Sequence, residues 1–192
     1  MSNILVQQEK MNYEQYRAFC ELPENEGKRF ELIDGEIYAM AAPNLRHQEI
    51  AAELLFKLRG HLGKDGKCKV YVAAVDVRLN YNKADDLVLQ PDLLIVCDPQ
   101  KTEDGRSIRG APDMVIEILS PSNSRHDLRV KMAQYRDAGV EEIWIVDPIH
   151  ETVTVFKKID KAVYSADIYA EDDEVPVNIL ENFTINSKDI FS

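Results

Sequence analysis

Asp92 and Glu117 each interrupt an apolar run with the look of a buried strand, Asp92 ahead of LLIVC and Glu117 within MVIEIL. A carboxylate in such a strand must be neutralised, hydrogen-bonded or attached to a metal. On neighbouring strands two of them can lie roughly 5 Å apart, the spacing of paired strands. That suits a hard divalent cation: Mg²⁺ takes one or two protein carboxylates and completes its shell with water and phosphate oxygens. A lysine joins them. In SRHDLRVKMAQYRDAG the residues Leu128, Met132 and Tyr135 recur at helical spacing and define the face turned to the core. Lys131 projects from that same face. Taking an ammonium out of water costs on the order of several kcal/mol unless a partner compensates. Glu117 is the partner expected, ahead of an i,i+4 bridge to Asp127 on the helix surface.

Other polar residues carry weaker signals. Asp113 shares a strand face with Glu117, but four residues of strand span about 13 Å, too far for one ion to touch both. It is expected to begin the strand after Pro112. His47 falls on the inward face of a long helix, where a hydrogen-bonded core histidine competes with a site residue. Asp76 breaks the alternation of VAAVDVRL, as a carboxylate supporting the site or as a partner of Arg78 or the backbone. Glu31 and Glu36 flank an Asp-Gly turn without an assigned role. Trp144 is expected in the core, His126 on the surface, and His61 gives no signal.

The elements that must position these groups are readable in outline. Asn12 and Gln15 predict a capping box at the start of a short helix. FELIDGEIYAM is a hairpin turning at Asp34-Gly35. Asn44 caps a helix reaching about Leu62. Three strands follow, over 69–79, 87–97 and 113–119. Ser-Pro-Ser-Asn-Ser at 120–124 breaks the last and supplies N-caps for the helix carrying Lys131, which stops at Ala138-Gly139. EEIWIVD, residues 141–147, is a strand closed by Pro148. A helix joining the third strand to the fourth is the crossover of a parallel pair; the earlier strands are expected to pair antiparallel. TVTVFKKI, AVYSADIYA and VPVNIL alternate at period two, and NSKDIF predicts a closing helical turn. The fold class is α/β with a mixed sheet, in one domain over 1–192. Its core is about 45–147, with an N-terminal helix and hairpin at 12–40 and an antiparallel β extension at 151–192.

Composition narrows the function. With 45% hydrophobic and 30% charged residues, the 192-residue chain reads as an ordinary soluble domain with its own core. No apolar run approaches the roughly 20 residues of a membrane span, and MSNILVQQEKMNYEQY does not read as a secretion signal. Cys20, Cys68 and Cys97 are odd in number and far apart, so free thiols in a reducing cytoplasm are expected. A net charge of −11 argues against nucleic-acid binding at face value. Residues 141–192, however, hold 12 acidic and 4 basic side chains, while 1–140 hold 22 and 19. The excess acidity therefore belongs mostly to the C-terminal segment. Basic residues gather at Lys57, Arg59, Lys64, Lys67 and Lys69, and again at Arg125, Arg129, Lys131 and Arg136. The glycine patterns of P-loop and dinucleotide sites and the G-x-S-x-G of serine hydrolases are absent from the sequence.

A Pro-Asp on one strand, an acid on the next and then a lysine resembles the PD-(D/E)XK arrangement of restriction-endonuclease-like nucleases. The order helix, three strands, helix, strand resembles their common core. Gln90-Pro91-Asp92-Leu93, PDMVIEILSPSNSRHDLRVKMAQYRDAGVEEIWIVDP, and FELIDGEIYAM followed by His47 are similar to the Uma family of endonucleases within that group. The resemblance runs from about Phe30 to Pro148. One departure stands out: two residues after Glu117, where the usual pattern has its lysine, is Leu119. Lys131 replaces it from the following helix. The resemblance implies phosphodiester hydrolysis with Mg²⁺ or Mn²⁺ on Asp92 and Glu117 and catalysis by these two with Lys131; His47 and Asp76, from their positions in the pattern, are secondary candidates. It also implies DNA as substrate and, because duplex-cutting nucleases often act in symmetric pairs, a homodimer. Two other classes remain compatible with the sequence: an inactive binding module on the same fold, and an interaction protein dimerising through strands at 152–179.

Overall fold

The computed structural model describes residues 10–120, 125–161 and 163–192, with the backbone alone at 125–127. Helix α1 (Tyr13–Cys20) opens with the anticipated capping box: Gln15 N–H donates to Asn12 Oδ1 at 3.1 Å, and Asn12 N–H to Gln15 Oε1 at 2.9 Å. Strands β1 (Phe30–Ile33) and β2 (Glu36–Ala39) form the hairpin, with Ile33 opposite Glu36. Both turn residues are left-handed, with φ of 52° at Asp34 and 78° at Gly35. A Cβ on Gly35 would also meet Lys10 Cβ at 2.6 Å, so glycine is required there. Helix α2 (Leu45–Leu62) starts where the Asn44 side-chain Oδ1 accepts the His47 N–H at 2.9 Å.

The two long strands read at 69–79 and 87–97 each divide. The first becomes β3 (Lys69–Val72) and β4 (Asp76–Arg78), the second β5 (Val88–Leu89) and β6 (Leu93–Val96). The break in the second falls at Gln90-Pro91-Asp92, where Pro91 has no N–H to give a ladder. At the same level Ala73 N–H donates to the Asp92 carbonyl at 2.9 Å. Strands β3 and β6 pair antiparallel in one sheet, whereas β4 and β5 pair antiparallel in another. A short strand that the sequence reading passed over, β7 (Ser107–Arg109), lies parallel to β4.

The crossover matches expectation. Strand β8 (Met114–Ile118) leads through α3 (Arg125–Ala138) to β9 (Glu142–Asp147), parallel to β8. The predicted N-caps at 121–124 lie outside the described residues. Strands β10 (Thr152–Asp160) and β11 (Val163–Ala170) extend the sheet as an antiparallel hairpin. VPVNIL behaves differently: only its start is strand, in β12 (Glu174–Pro176), and it pairs with β13 (Thr184–Asn186) instead of the large sheet. Helix α4 (Ser187–Phe191) is the anticipated closing turn.

The large sheet runs β11-β10-β9-β8-β6-β3 and the smaller one β2-β1-β5-β4-β7. The expected helix, three strands, helix and strand are thus α2, β3, β6, β8, α3 and β9. Alternation along the strands divides the core. Leu93, Ile95 and Ile116 pack with Ile50, Leu54 and Leu58 of α2; Leu94, Val96 and Val115 pack with Met132 and Tyr135 of α3. The smaller sheet has its own core, in which Phe30, Leu32 and Val88 meet Tyr13 and Tyr16 of α1.

One expectation is corrected. Cys68 and Cys97 form a disulfide, and Cys20 alone is a free thiol. Their 29-residue separation hid a close approach. Lys69 pairs with Val96, so the residues just outside that pair face each other across β3 and β6. Cysteine usage therefore does not argue for a reducing compartment. Among the described residues no helix is long and apolar enough to cross a membrane.

Candidate active site

Strand pairing brings the two carboxylates together. Leu93 of β6 opposes Ile116 of β8 in an antiparallel pair, so Asp92 and Glu117 occupy the next opposed positions. Asp92 Oδ2 accepts the Ile118 backbone N–H at 2.8 Å, which fixes it across the strand boundary. Glu117 is 4% exposed and Asp92 8%. Lys131 reaches them from α3, its Nζ 3.3 Å from Glu117 Oε1. The side chain of Asp127 lies outside the described residues. Leu119, at the position vacated by the usual lysine, packs into the core beside α3.

Two residues to which the sequence assigns no such role complete the arrangement. Glu31 Oε1 is 2.8 Å from Lys131 Nζ, closer than Glu117, and also accepts the Gln90 N–H at 2.8 Å. The Tyr135 hydroxyl, read from sequence as part of the apolar stripe, donates to Glu117 Oε1 at 2.6 Å. Glu31 escaped because the docking of a local hairpin over a distant helix leaves no trace in either segment. The available signal was parity: Phe30 and Leu32 supply an apolar face, leaving Glu31 on the other.

His47 lies on the inward face of its helix and against the Asp92 carboxylate. It is buried in α2, and its Nε2 lies 3.1 Å from Asp92 Oδ2, while its Nδ1 has no hydrogen-bond partner among the described residues. Asp76 stands one step back. It accepts Gln90 Nε2–H at 2.9 Å and, more distantly, the Tyr13 and Tyr16 hydroxyls at 3.4 Å each. Arg78 instead donates to Asp85 at 3.0 Å. Asp113 binds the Cys97 N–H at 2.8 Å, outside the site. Glu36 is exposed and takes a hydrogen bond from Tyr38; His61 stacks on Phe183, with ring centres 4.0 Å apart. Trp144 is fully buried, and the side chain of His126 lies outside the described residues.

The electrostatics follow from crowding. Burial pushes the Glu117 carboxyl up to about 7; Lys131 pulls it back, while the charges of Asp92 and Glu31 push further and the Tyr135 hydrogen bond pulls back. Burial alone would lower the Lys131 pKa, but Glu117 and Glu31 outweigh it and hold the ammonium charged. Burial raises the Tyr135 phenol well above its ordinary value, with Glu117 adding to the effect, so it remains a donor. Three buried carboxylates thus share one ammonium, an excess of negative charge that favours either a proton or a metal cation.

The group faces a cavity of about 250 Å³, also lined by Arg29, Tyr38, Met40 and Leu128. Several of the clustered basic residues are engaged elsewhere. Lys57 binds Asp189, Lys69 the Lys64 carbonyl and Arg59 the Gly63 carbonyl, while Arg136 lies over Phe156.

Residues 13–188 match the model of the Uma2 family, described as "Putative restriction endonuclease". The chain belongs to the Uma2 family. Two uncharacterized Synechocystis proteins are similar to this Uma2 chain. One, slr1290, is 28% identical over 152 residues, covering 79% of this chain and 76% of its own. The other, sll1609, is 22% identical over 166 residues, covering 85% and 92%. A crystal structure from Anabaena variabilis, described as a "putative nuclease belonging to DUF820", superposes with a TM-score of 0.72 at 24% identity. It covers 90% of this chain and 94% of its own, and speaks for the fold.

Proposed function

We propose that this chain is a metal-dependent endonuclease hydrolysing phosphodiester bonds, with DNA as its substrate. The observation that carries the reading is the meeting of Asp92, Glu117 and Lys131, from two strands and a helix, beside one cavity. The donor set fits Mg²⁺ or Mn²⁺: hard carboxylate oxygens, buried, in excess over the neighbouring cation. Among the described residues no three His, Cys, Asp or Glu side chains form a cage of their own. Mg²⁺ takes one or two protein carboxylates and completes its shell with water and substrate oxygens. Asp92 and Glu117 would hold the ion, which when bound supplies Lewis-acid polarisation of the phosphate and a more acidic water.

The remaining work falls to the chain's own groups. Lys131, kept charged by Glu31 and Glu117, stabilises negative charge growing on the phosphate oxygens. Glu31 holds the ammonium at 2.8 Å, so its position does not depend on Glu117. Tyr135 orients the Glu117 carboxylate, and the Ile118 N–H orients Asp92. Cutting both strands of a duplex calls for two such sites, which a homodimer supplies; sedimentation mass tests that state.

The test of the reading is cleavage of plasmid DNA with Mn²⁺. Lys131→Ala is expected to lose at least a hundredfold in rate, the lower bound of about 10² for removing one charge-stabilising group, while still binding Mn²⁺. Cleavage at the wild-type rate by that variant would overturn the assignment.

A further inference from the structure

We propose that Arg29 is the phosphate-binding residue of this site, its guanidinium gripping a backbone phosphate of the nucleic acid from the cavity wall. The inference rests on the nuclease reading above and names the contact that seats the substrate. Arg29 immediately precedes β1, and alternation sets Arg29, Glu31 and Ile33 toward the cavity they line. Phe30 and Leu32 turn the other way, into the core under α1. Arg29 Nη2 is buried and has no hydrogen-bond partner among the described residues. Its neighbour Glu31 does not serve it, giving its carboxylate to Lys131 and the Gln90 N–H instead. A buried guanidinium nitrogen without an acceptor calls for an explanation. A phosphate supplies acceptor oxygens and the negative charge that the planar donor fork of a guanidinium matches well.

The guanidinium is held in place by groups that the catalytic arrangement does not otherwise use. Gln90 is 7% exposed and makes three hydrogen bonds. Its backbone N–H goes to Glu31 at 2.8 Å, and its Nε2–H to Asp76 at 2.9 Å. Its Oε1 accepts Arg29 Nε–H at 3.1 Å. Asp76 accepts, so the amide nitrogen must face it, and the amide oxygen is thereby turned to Arg29. The Asp76–Gln90 pair is a positioning device: it occupies Nε and leaves the outer part of the guanidinium for a ligand. Lys131 and Arg29 would then act on phosphate together, one at the reacting group and one at the grip.

The experiment is anisotropy of a fluorescein-labelled DNA oligonucleotide in EDTA, where no turnover occurs, across a series of salt concentrations. Arg29→Ala is expected to bind about tenfold more weakly, with a log–log salt slope shallower by about 0.7–0.9, the loss of one phosphate contact. Arg29→Lys recovers part of both and guards against misfolding. Gln90→Leu weakens wild-type binding but adds little to Arg29→Ala, because both remove one contact. If the wild type binds DNA and Arg29→Ala matches it in affinity and slope, the assignment falls and the nuclease reading stands. If the wild type binds no DNA, calorimetry with inorganic pyrophosphate decides. Arg29-dependent binding keeps the anion site and removes the nuclease reading; no binding overturns both.

Discussion

Replacing Lys131 with methionine removes the ammonium shared by Glu31 and Glu117 while keeping a side chain of similar length. In the wild type, burial raises Glu117 from 4.5 to about 7, so the folded protein binds that proton more tightly than the unfolded chain. The contribution of Glu117 to stability is therefore fullest below pH 4.5 and declines until the pH passes about 7. The decline amounts to about 3 kcal/mol, at roughly 1.4 kcal/mol per tenfold in proton affinity. Lys131 opposes the rise. Without it the Glu117 pKa climbs further and the decline continues above neutrality. At about pH 5 Glu117 is protonated in both folded proteins, and the variant loses chiefly the bridge to Glu31, worth about 1.5–3 kcal/mol. At about pH 8.5 three buried carboxylates are left without their cation, at a cost of about 3–5 kcal/mol. Urea unfolding of both proteins at the two pH values measures the difference. A loss in the variant that is the same at both would refute the coupling of Lys131 to Glu117.

Two further effects follow from single contacts. Tyr135→Phe deletes the 2.6 Å hydrogen bond that lowers the Glu117 pKa; carbon NMR of labelled glutamate should show Glu117 titrating higher than in the wild type, and an unshifted titration contradicts the contact. Cys68→Ser opens a loop closed across 29 residues and should cost about 2–4 kcal/mol in urea unfolding; a change below about 0.5 kcal/mol, the scatter of ordinary surface substitutions, would mean that the disulfide does not form in solution.

The parts of this protein that sequence reveals are those in which a local pattern is broken. Lys131 was legible because it sits within an apolar stripe, and Asp92 and Glu117 because they interrupt apolar strands. The capping box at Asn12, the Asp34-Gly35 turn and the crossover from β8 to β9 were legible for a related reason: each is specified by neighbouring residues. What remained hidden depends on distant segments meeting. Of the two points where strands change sheets, 90–92 carries a local mark in Pro91, whereas 73–75 carries none. Cys68 and Cys97 become neighbours only once β3 and β6 pair. Glu31, Arg29 and Gln90 sit on segments whose own patterns are satisfied by an exposed hairpin and a strand end. Only the packing of that hairpin over α3 makes them part of a site.

Calorimetric titration of Mn²⁺ into wild type and Asp92→Asn, at concentrations that detect millimolar affinity and with an uncleavable oligonucleotide present to supply phosphate oxygens, tests the metal site directly. The predicted result is binding by the wild type that disappears in the variant, accompanied by proton release as the Glu117 carboxyl gives way to the metal. Equal binding by the two proteins, or none by the wild type, would contradict a metal held by Asp92 and Glu117.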